Sequence, residues 1–146
     1  MNPSPAYSLH KLVAALDRGA DTLLRKKFDI TYNRALFLVV VRDQGSMTQH
    51  ELAVALGYSD PAVSAMLVEL AKDGFVTSTP SPTHGRKRMV RLTAKGRALT
   101  DDVKSYLDKS FADVLMAANV DAAQYHELTE RIYQTVVGKK EAAHNG

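Results

Sequence analysis

The sequence predicts a mainly α-helical protein with a small β-hairpin wing, arranged as a winged helix-turn-helix flanked by long helices. Three observations predict this class. Two short helical patterns are separated by a tight turn that contains glycine, which is the helix-turn-helix signature. Two strand-like segments follow directly and are joined by a loop with prolines and a glycine. Apolar residues at helical spacing mark long helices on both sides of this region.

The length of 146 residues fits one compact subunit over residues 1–146. We expect a winged helix-turn-helix over residues 31–97 and dimerisation helices over residues 8–28 and 93–138. Long amphipathic helices around a small motif would leave apolar surface exposed on a single subunit. We therefore expect a two-fold homodimer, with a solitary helical bundle as the alternative.

The chain begins with a proline-containing segment, residues 1–7, which we expect to be an extended arm. An amphipathic helix should follow from Leu9 to about Lys27. Thr31 is then placed to cap a second helix that Gly45 closes. Its expected inward residues are Ala35, Leu36, Val39 and Val40.

The helix-turn-helix itself has clear start and stop signals. Thr48 and Glu51 form a capping box at the first helix, and Gly57 stops that helix. Asp60 is the expected N-cap of the second helix, and Pro61 suits its first helical position. The expected inward residues of the second helix are Val63, Leu67 and Leu70.

The second helix of such a motif enters the DNA major groove with its N-terminal residues. Its outward side chains are small: the serines can bond phosphates or base edges, whereas alanine and proline only touch thymine methyls or the backbone. We therefore expect modest base readout, helped by water and DNA shape. The alternative is that these small residues pack on another protein. With the start of the preceding helix, the candidate DNA contacts are Thr48, Gln49, Ser59, Pro61, Ala62, Ser64 and Ala65.

The predicted wing pairs residues 75–77 with residues 89–92. Every charged residue from position 77 to position 97 is basic, which is an electrostatic footprint for a polyanion, although a solvated loop is the plainer reading. Arg86 at the tip is the candidate for a minor groove, and Lys87 and Arg88 are candidates for phosphates. His84 is a further candidate, because a histidine gains charge near neutral pH. The basic residues are Arg86, Lys87, Arg88, Arg91, Lys95 and Arg97.

Two more helices complete the chain. Thr93 should cap a long helix that runs to about Ala118. Asp121 and Gln124 are spaced as a capping box for a last helix, and the tail from Gly138 onward is expected to be frayed. The expected apolar face of the last helix is Tyr125, Leu128, Ile132 and Val136.

Two segments, TQHELAVALGYSDPAVSAMLVELAKDGFV and GRKRMVRLTAKGR, resemble the MarR family of bacterial transcriptional regulators. The resemblance implies a homodimer in which each subunit offers one winged helix to a palindromic operator on double-stranded DNA. It also implies a repressor, often relieved by a small anionic or aromatic ligand, and a short third strand near residues 45–46.

The chain departs from the family pattern at several positions. Ser81 and Thr83 stand where the wing of the family usually has an acidic residue and an arginine. Ala65 and Glu69 stand where the recognition helix often carries arginines. DNA contact should therefore be weighted toward the wing and Arg86.

Other function classes lack support in the sequence. The absence of cysteine excludes disulfides and cysteine–zinc sites, and the five histidines have no metal-ligand spacing. No nucleophile elbow or phosphate-binding loop indicates catalysis, so we expect no enzyme activity, no cofactor and no metal. With no spanning apolar run and no signal peptide, we expect a cytoplasmic protein without membrane contact.

The sequence therefore predicts a DNA-binding regulator, with two rivals. One is a winged-helix module that binds proteins, and the other is a ligand sensor or enzyme with a vestigial winged helix. Arg34 and Arg42 are candidates for an anionic effector, or for phosphate or solvent contact. Aromatic residues that line an effector cavity or simply fill the core are Tyr7, Phe28, Tyr32, Phe37, Tyr106 and Phe111.

Overall fold

A computed structural model of the protein describes residues 2–83 and 85–144, with side chains as far as residue 139. Within these residues the chain forms six helices and three short strands. The elements in order are α1 (Pro5–Phe28), α2 (Tyr32–Gln44), β1 (Met47–Thr48), α3 (Gln49–Leu56), α4 (Asp60–Lys72), β2 (Val76–Pro80), β3 (Arg88–Leu92), α5 (Ala94–Ala117) and α6 (Ala122–His144).

The chain forms two compact units that divide after Ser105, within α5. The first unit contains the antiparallel sheet, in the order β1-β3-β2. The short third strand that the family resemblance implies is confirmed as β1. The predicted hairpin is confirmed too, although its strands are longer than expected because pairing continues to Pro80 and Arg88. Proline is tolerated at the end of β2 because β2 is an edge strand.

The core of the first unit lies where α2, α3 and α4 meet the sheet. Its largest side chains with almost no exposure come from every one of these elements. Burial of each such aliphatic or aromatic side chain stabilises the fold by about 1.5–3 kcal/mol. These residues are Phe37, Leu38, Val41, Leu52, Val63, Leu70 and Val90, together with Leu24 of α1 and Val103 of α5.

The predicted register of α2 is only partly right. Ala35 is buried as expected, but the other fully buried positions are Phe37, Leu38 and Val41. The expected inward residues Leu36, Val39 and Val40 are half-buried. An apolar run from residue 35 to residue 41 has no single stripe, so periodicity alone does not fix which face is innermost.

The predictions for the two ends of the described chain are wrong. Helix α1 begins at Pro5, inside the expected arm, because the Ser4 hydroxyl accepts the Tyr7 amide at 3.2 Å and proline suits a first helical turn. At the other end, α6 remains helical to His144, through most of the expected frayed tail.

Helix α5 starts in close contact with the turn between α4 and β2. Thr93 caps the helix, as predicted, by accepting the Gly96 amide at 3.0 Å. The same hydroxyl donates to the Gly74 carbonyl at 2.6 Å, and the Thr93 amide donates to the Phe75 carbonyl at 3.0 Å. The Lys95 ammonium lies 4.7 Å from the centre of the Phe75 ring. The start of α5 is therefore fixed to the base of the wing.

The second unit consists of the end of α5 and α6. Phe111 and Tyr125 pack edge to face with ring centroids 5.4 Å apart, and Leu115 is buried. The expected cap of α6 is confirmed, because the Gln124 amide donates to the Asp121 carboxylate at 2.7 Å. Over the residues that the structure describes, no helix is long and apolar enough to cross a membrane.

Candidate nucleic-acid interface

The N-terminal end of α4 presents the small residues expected at a DNA groove. Its inward face is confirmed, since Val63, Leu67 and Leu70 are buried. The opposite face is open to solvent along the first two turns. The exposed candidates are Ser59, Pro61, Ala62, Ser64 and Ala65.

The predicted N-cap of α4 is wrong by one residue. The cap is Ser59, whose backbone is extended and whose hydroxyl accepts the Ala62 amide at 3.2 Å. The Ser59 carbonyl already accepts the Val63 amide, so the helical ladder starts there. Asp60 instead lies in the first turn, with its carboxylate 3.2 Å from the His50 ring. A carboxylate in a first turn still favours the helix, because it faces the positive end of the helix dipole.

Helix α3 carries the predicted capping box in full. The Glu51 amide donates to the Thr48 hydroxyl at 3.1 Å, and the Thr48 amide donates to the Glu51 carboxylate at 2.8 Å. Hydrogen bonds to the Glu51 carboxylate from the Thr48 amide and then from the Thr48 hydroxyl hold the pKa of Glu51 below its usual value, with a smaller contribution from Lys87 of the wing. Gly57 ends α3 with a left-handed φ of 69°.

Replacing Thr48 with alanine is expected to lower the free energy of unfolding by about 1 kcal/mol, because an orphan amide loses its acceptor. Urea denaturation at a fixed subunit concentration measures the change. Thr129→Ala, at an exposed position inside α6, is the control and should change stability by less than half as much. Equal losses for the two variants would show that the capping box contributes nothing specific.

The wing is stiffened by one of its own candidate residues. The Arg88 guanidinium donates through Nε to the Ser78 hydroxyl at 2.9 Å and through Nη2 to the Ser78 carbonyl at 2.7 Å. Across the loop, the Ser81 amide donates to the Lys87 carbonyl at 2.7 Å. Arg86 and Lys87 are exposed. Arg88 is exposed as well, and it braces the hairpin through Ser78.

Ser81 and Thr83, the loop residues that depart from the family pattern, contact each other in the wing. Ser81 is only 8% exposed, and its hydroxyl lies 3.4 Å from both the amide and the hydroxyl of Thr83. These contacts shape the start of the loop. His84, a candidate contact, lies outside the described residues.

The wing and the helix-turn-helix border one cleft of about 340 Å³, which we call the wing cleft. It brings together the start of α3, the start of α4 and the three wing cations. Its lining is Thr48, Gln49, His50, Asp60, Arg86, Lys87 and Arg88.

A second cleft of about 330 Å³ lies at the base of the wing, where α2, β3 and α5 meet; we call it the arginine cleft. Sequence reasoning assigned Arg91 and Arg97 to the wing charge but found no site there. Its lining is Val41, Arg42, Gly45, Ser46, Arg91, Leu92 and Arg97.

The two arginines proposed for an anionic effector have partners on other elements. Arg34 forms an ion pair with Glu69 of α4, which explains how an acidic residue is accommodated on that helix. The Nε of Arg42 donates to Asp101 of α5 at 2.9 Å. This bond holds the pKa of Asp101 below its usual value.

The aromatic candidates for an effector cavity lie in different surroundings. Phe37 is in the core and Tyr7 is exposed. Burial, followed by the nearby Asp17 carboxylate, raises the pKa of the half-buried Tyr32 phenol. Neither the wing cleft nor the arginine cleft is lined by any of the six aromatics. Among the described residues, no group of three metal-ligating side chains comes together.

Comparisons with known proteins agree with this architecture. The sequence model described as "MarR family" matches residues 28–87. An uncharacterized HTH-type transcriptional regulator of Mycobacterium leprae is 27% identical over 84 residues, which are 58% of this chain and 59% of that protein. The chain thus spans less than two thirds of that relative.

Solved structures share the fold. Apo MarR from E. coli superposes with a TM-score of 0.79 at 23% identity, over 92% of this chain and 98% of MarR. A mutant of MarR solved with operator DNA gives 0.69 at 24% identity, over 88% and 93%. NadR solved with 4-hydroxyphenylacetate gives 0.78 at 18% identity, over 92% and 93%. The winged-helix fold expected from the sequence is confirmed.

Proposed function

We propose that the chain is a homodimeric transcriptional regulator of the MarR type that binds a palindromic operator on double-stranded DNA and acts as a repressor; the match of the MarR family model to residues 28–87 supports this. One observation carries the proposal: the exposed start of α4 and the cationic wing border the same cleft. A groove-reading helix beside a positively charged finger is the arrangement by which winged helices hold a duplex.

In this proposal α4 enters the major groove with the end that Ser59 caps. The exposed Ala62 and Ala65 allow close approach and contact thymine methyls, while the Ser64 hydroxyl bonds a base edge or phosphate. Because no long polar side chain extends from these turns, selectivity depends on DNA shape and bridging water as well as on direct contacts.

The wing supplies the electrostatic part of binding. Arg86 at the tip inserts into the minor groove, and Lys87 contacts a phosphate near the start of α3. Arg88 uses two of its five N–H donors on Ser78, and its remaining donors are available to a phosphate. Thr48 and Gln49, at the start of α3, lie close enough to the wing to share the same phosphate path.

The dimer is proposed from two apolar faces that one subunit leaves exposed. Helix α1 exposes Leu9, Leu12 and Val13, and α6 exposes Leu128 and Ile132, the latter at 64%. Large exposed apolar patches mark association sites, and a two-fold pairing buries the same patch on both subunits. Two winged helices held in this way would meet half-sites about 34 Å apart.

A small aromatic or anionic effector would relieve repression by favouring a half-site separation that mismatches the operator. NadR was solved with one such aromatic acid, 4-hydroxyphenylacetate. The support within this chain is the arginine cleft, whose charge suits an anion.

Replacing Arg86 with alanine is expected to weaken operator binding by about 1–3 kcal/mol, the usual effect of losing a charged groove contact. A gel shift at moderate salt, with an operator obtained by selection from random DNA, measures the change. Lys72→Ala removes the same charge at the far end of α4 and should change affinity by less than about threefold. An unchanged affinity for Arg86→Ala would refute the role of the wing.

Repeating the gel shift at several salt concentrations distinguishes DNA binding from the rival function, a protein-interaction module. The exposed Val68 on α4 favours that rival. DNA binding driven by Arg86 and Lys87 must fall steeply with salt, because phosphate contacts release counterions. A protein that ignores every selected duplex but binds a polypeptide through α4, with little salt dependence, would be such a module instead.

A further inference from the structure

We propose that the arginine cleft binds a small oxyanion that carries two negative charges, such as a phosphate group or a dicarboxylate. This adds a site and a ligand class to the proposed regulator. The effect on operator binding rests on that proposed function, whereas anion binding itself stands on the geometry of the first unit.

The cleft is built by chain segments that are distant in sequence. Helix α2 ends at Gln44 with Gly45 as its C-cap, and Ser46 leads into β1. The pairing of Met47 with Val90 sets Ser46, one position earlier, across from Arg91 of β3. Arg97 follows in the first turn of α5 and completes the lining opposite the end of α2.

The charge of the cleft is strongly positive. Three guanidinium groups line it, those of Arg42, Arg91 and Arg97. Asp101 accepts from Arg42 Nε at 2.9 Å and also interacts electrostatically with Arg97, whereas Asp43, beside Arg42 in sequence, pairs with Lys104 at 2.8 Å. One carboxylate against three guanidiniums leaves an excess of two positive charges, which a dianion would balance.

The donors of the cleft are available for a ligand. The ion pair of Arg42 uses its Nε, and its terminal nitrogens remain for a second acceptor. In the described part of the chain, neither Arg91 nor Arg97 makes a side-chain hydrogen bond or a salt bridge within 4 Å. Guanidinium forks match phosphate and carboxylate oxygens, often with two bonds per group. The Ser46 hydroxyl adds an uncharged donor.

Either a free anion or a DNA backbone phosphate could bind the guanidinium groups of the arginine cleft. The position of the cleft favours the free anion. No candidate groove contact lines the arginine cleft, and no arginine of this cleft lines the wing cleft. The two clefts lie at opposite ends of the two-residue strand β1. A concave site of about 330 Å³ accepts a small molecule, whereas a duplex approaches the exposed α4 face.

Anion binding at the arginine cleft would affect the wing through strands β1 and β3 of the sheet. Strand β3 carries Arg91 at the arginine cleft and Arg88 at the wing cleft, and β1 connects Ser46 with the capping residue Thr48. A ligand that draws Arg91 and Ser46 together therefore acts on both strands that position the candidate DNA contacts.

The test is calorimetric titration of the full chain with inorganic phosphate, against chloride at matched ionic strength and without DNA. Wild type is expected to bind one phosphate per subunit. The double variant Arg91→Gln/Arg97→Gln is expected to lose at least about tenfold in affinity, since each charged hydrogen bond is worth this much. Arg18→Gln/Lys72→Gln removes two positive charges elsewhere and should retain binding. Both pairs are exposed, and circular dichroism verifies that each variant folds.

Three outcomes overturn the proposal. The first is that wild type binds no phosphate. The second is that both double variants lose affinity equally, which indicates non-specific charge attraction. The third is that the Arg91→Gln/Arg97→Gln variant binds phosphate as wild type does but loses selected duplex as strongly as Arg86→Ala, which would show that these arginines contact the DNA backbone. The phosphate titration contains no DNA, so its result can be interpreted even if the proposed DNA binding is wrong.

Discussion

Replacing Gly96 with alanine is expected to lower the free energy of unfolding by about 3 kcal/mol or more, which is above the usual cost of overpacking a core. A Cβ atom at this position would lie 1.9 Å from the Phe75 carbonyl oxygen and 2.8 Å from its carbon. Both are backbone atoms, so no side-chain rotation relieves the clash. Thr93 bonds the same carbonyl and the Gly74 carbonyl, so a shift of α5 would break those bonds too.

The control for this prediction is Gly19→Ala. Gly19 is an exposed glycine within α1, and a Cβ there would meet nothing within 4 Å. That variant should gain up to about 1 kcal/mol, because alanine is the better helix former. Urea denaturation of both proteins at one subunit concentration is required, since dimer stability depends on concentration. A Gly96→Ala protein as stable as wild type would show that α5 and the turn before β2 do not approach this closely.

Replacing Ile132 with glutamate is expected to turn the proposed dimer into a monomer and to weaken operator binding by about a hundredfold or more. The exposed stripe of α6, with Leu128 and Val136 one turn to either side, would then carry a charge that pairing must desolvate. A lone subunit retains one half-site, and the loss of a linked second contact typically removes a factor of 10²–10⁴.

Sedimentation and a gel shift on the same samples measure the two effects. Gln134→Glu places the same charge on another exposed position of α6, two residues along the helix, and should remain dimeric. If Ile132→Glu sediments as wild type does, the subunits do not associate through this stripe. If it is monomeric but binds operator fully, dimerisation is not part of DNA recognition.

Local signals explain most of what could be predicted from the sequence. The caps at Thr31, Thr48 and Thr93 and the stops at Gly45 and Gly57 are confirmed, because each depends on hydrogen bonds within a few residues. The cap of α4 was assigned one residue too late. Ser59 takes the role expected of Asp60, whose carboxylate is held by His50, a residue of another helix.

Features that depend on residues distant in sequence could not be predicted from local signals. The innermost face of α2 and the partner of Arg34 depend on which elements pack around them. The arginine cleft combines residues from α2, β3 and α5, and no spacing in the chain links them. Gly96 lies in the segment GRKRMVRLTAKGR that resembles the MarR family, but the physical need for a glycine there depends on the Phe75 carbonyl, which packs beside it only in the folded structure.

The brace between Arg88 and Ser78 has a kinetic consequence for the proposed regulator. Because Ser78 already holds the Arg88 side chain, the wing loses little rotational freedom when it meets DNA. Each side chain fixed in advance spares about 0.5–1.5 kcal/mol of ordering entropy. Encounters should then convert into stable complexes without a slow rearrangement of the hairpin. In the proposed regulator, the exposed Arg86 and Lys87 would make ionic contacts with non-operator DNA, and such contacts can break and re-form quickly during the search.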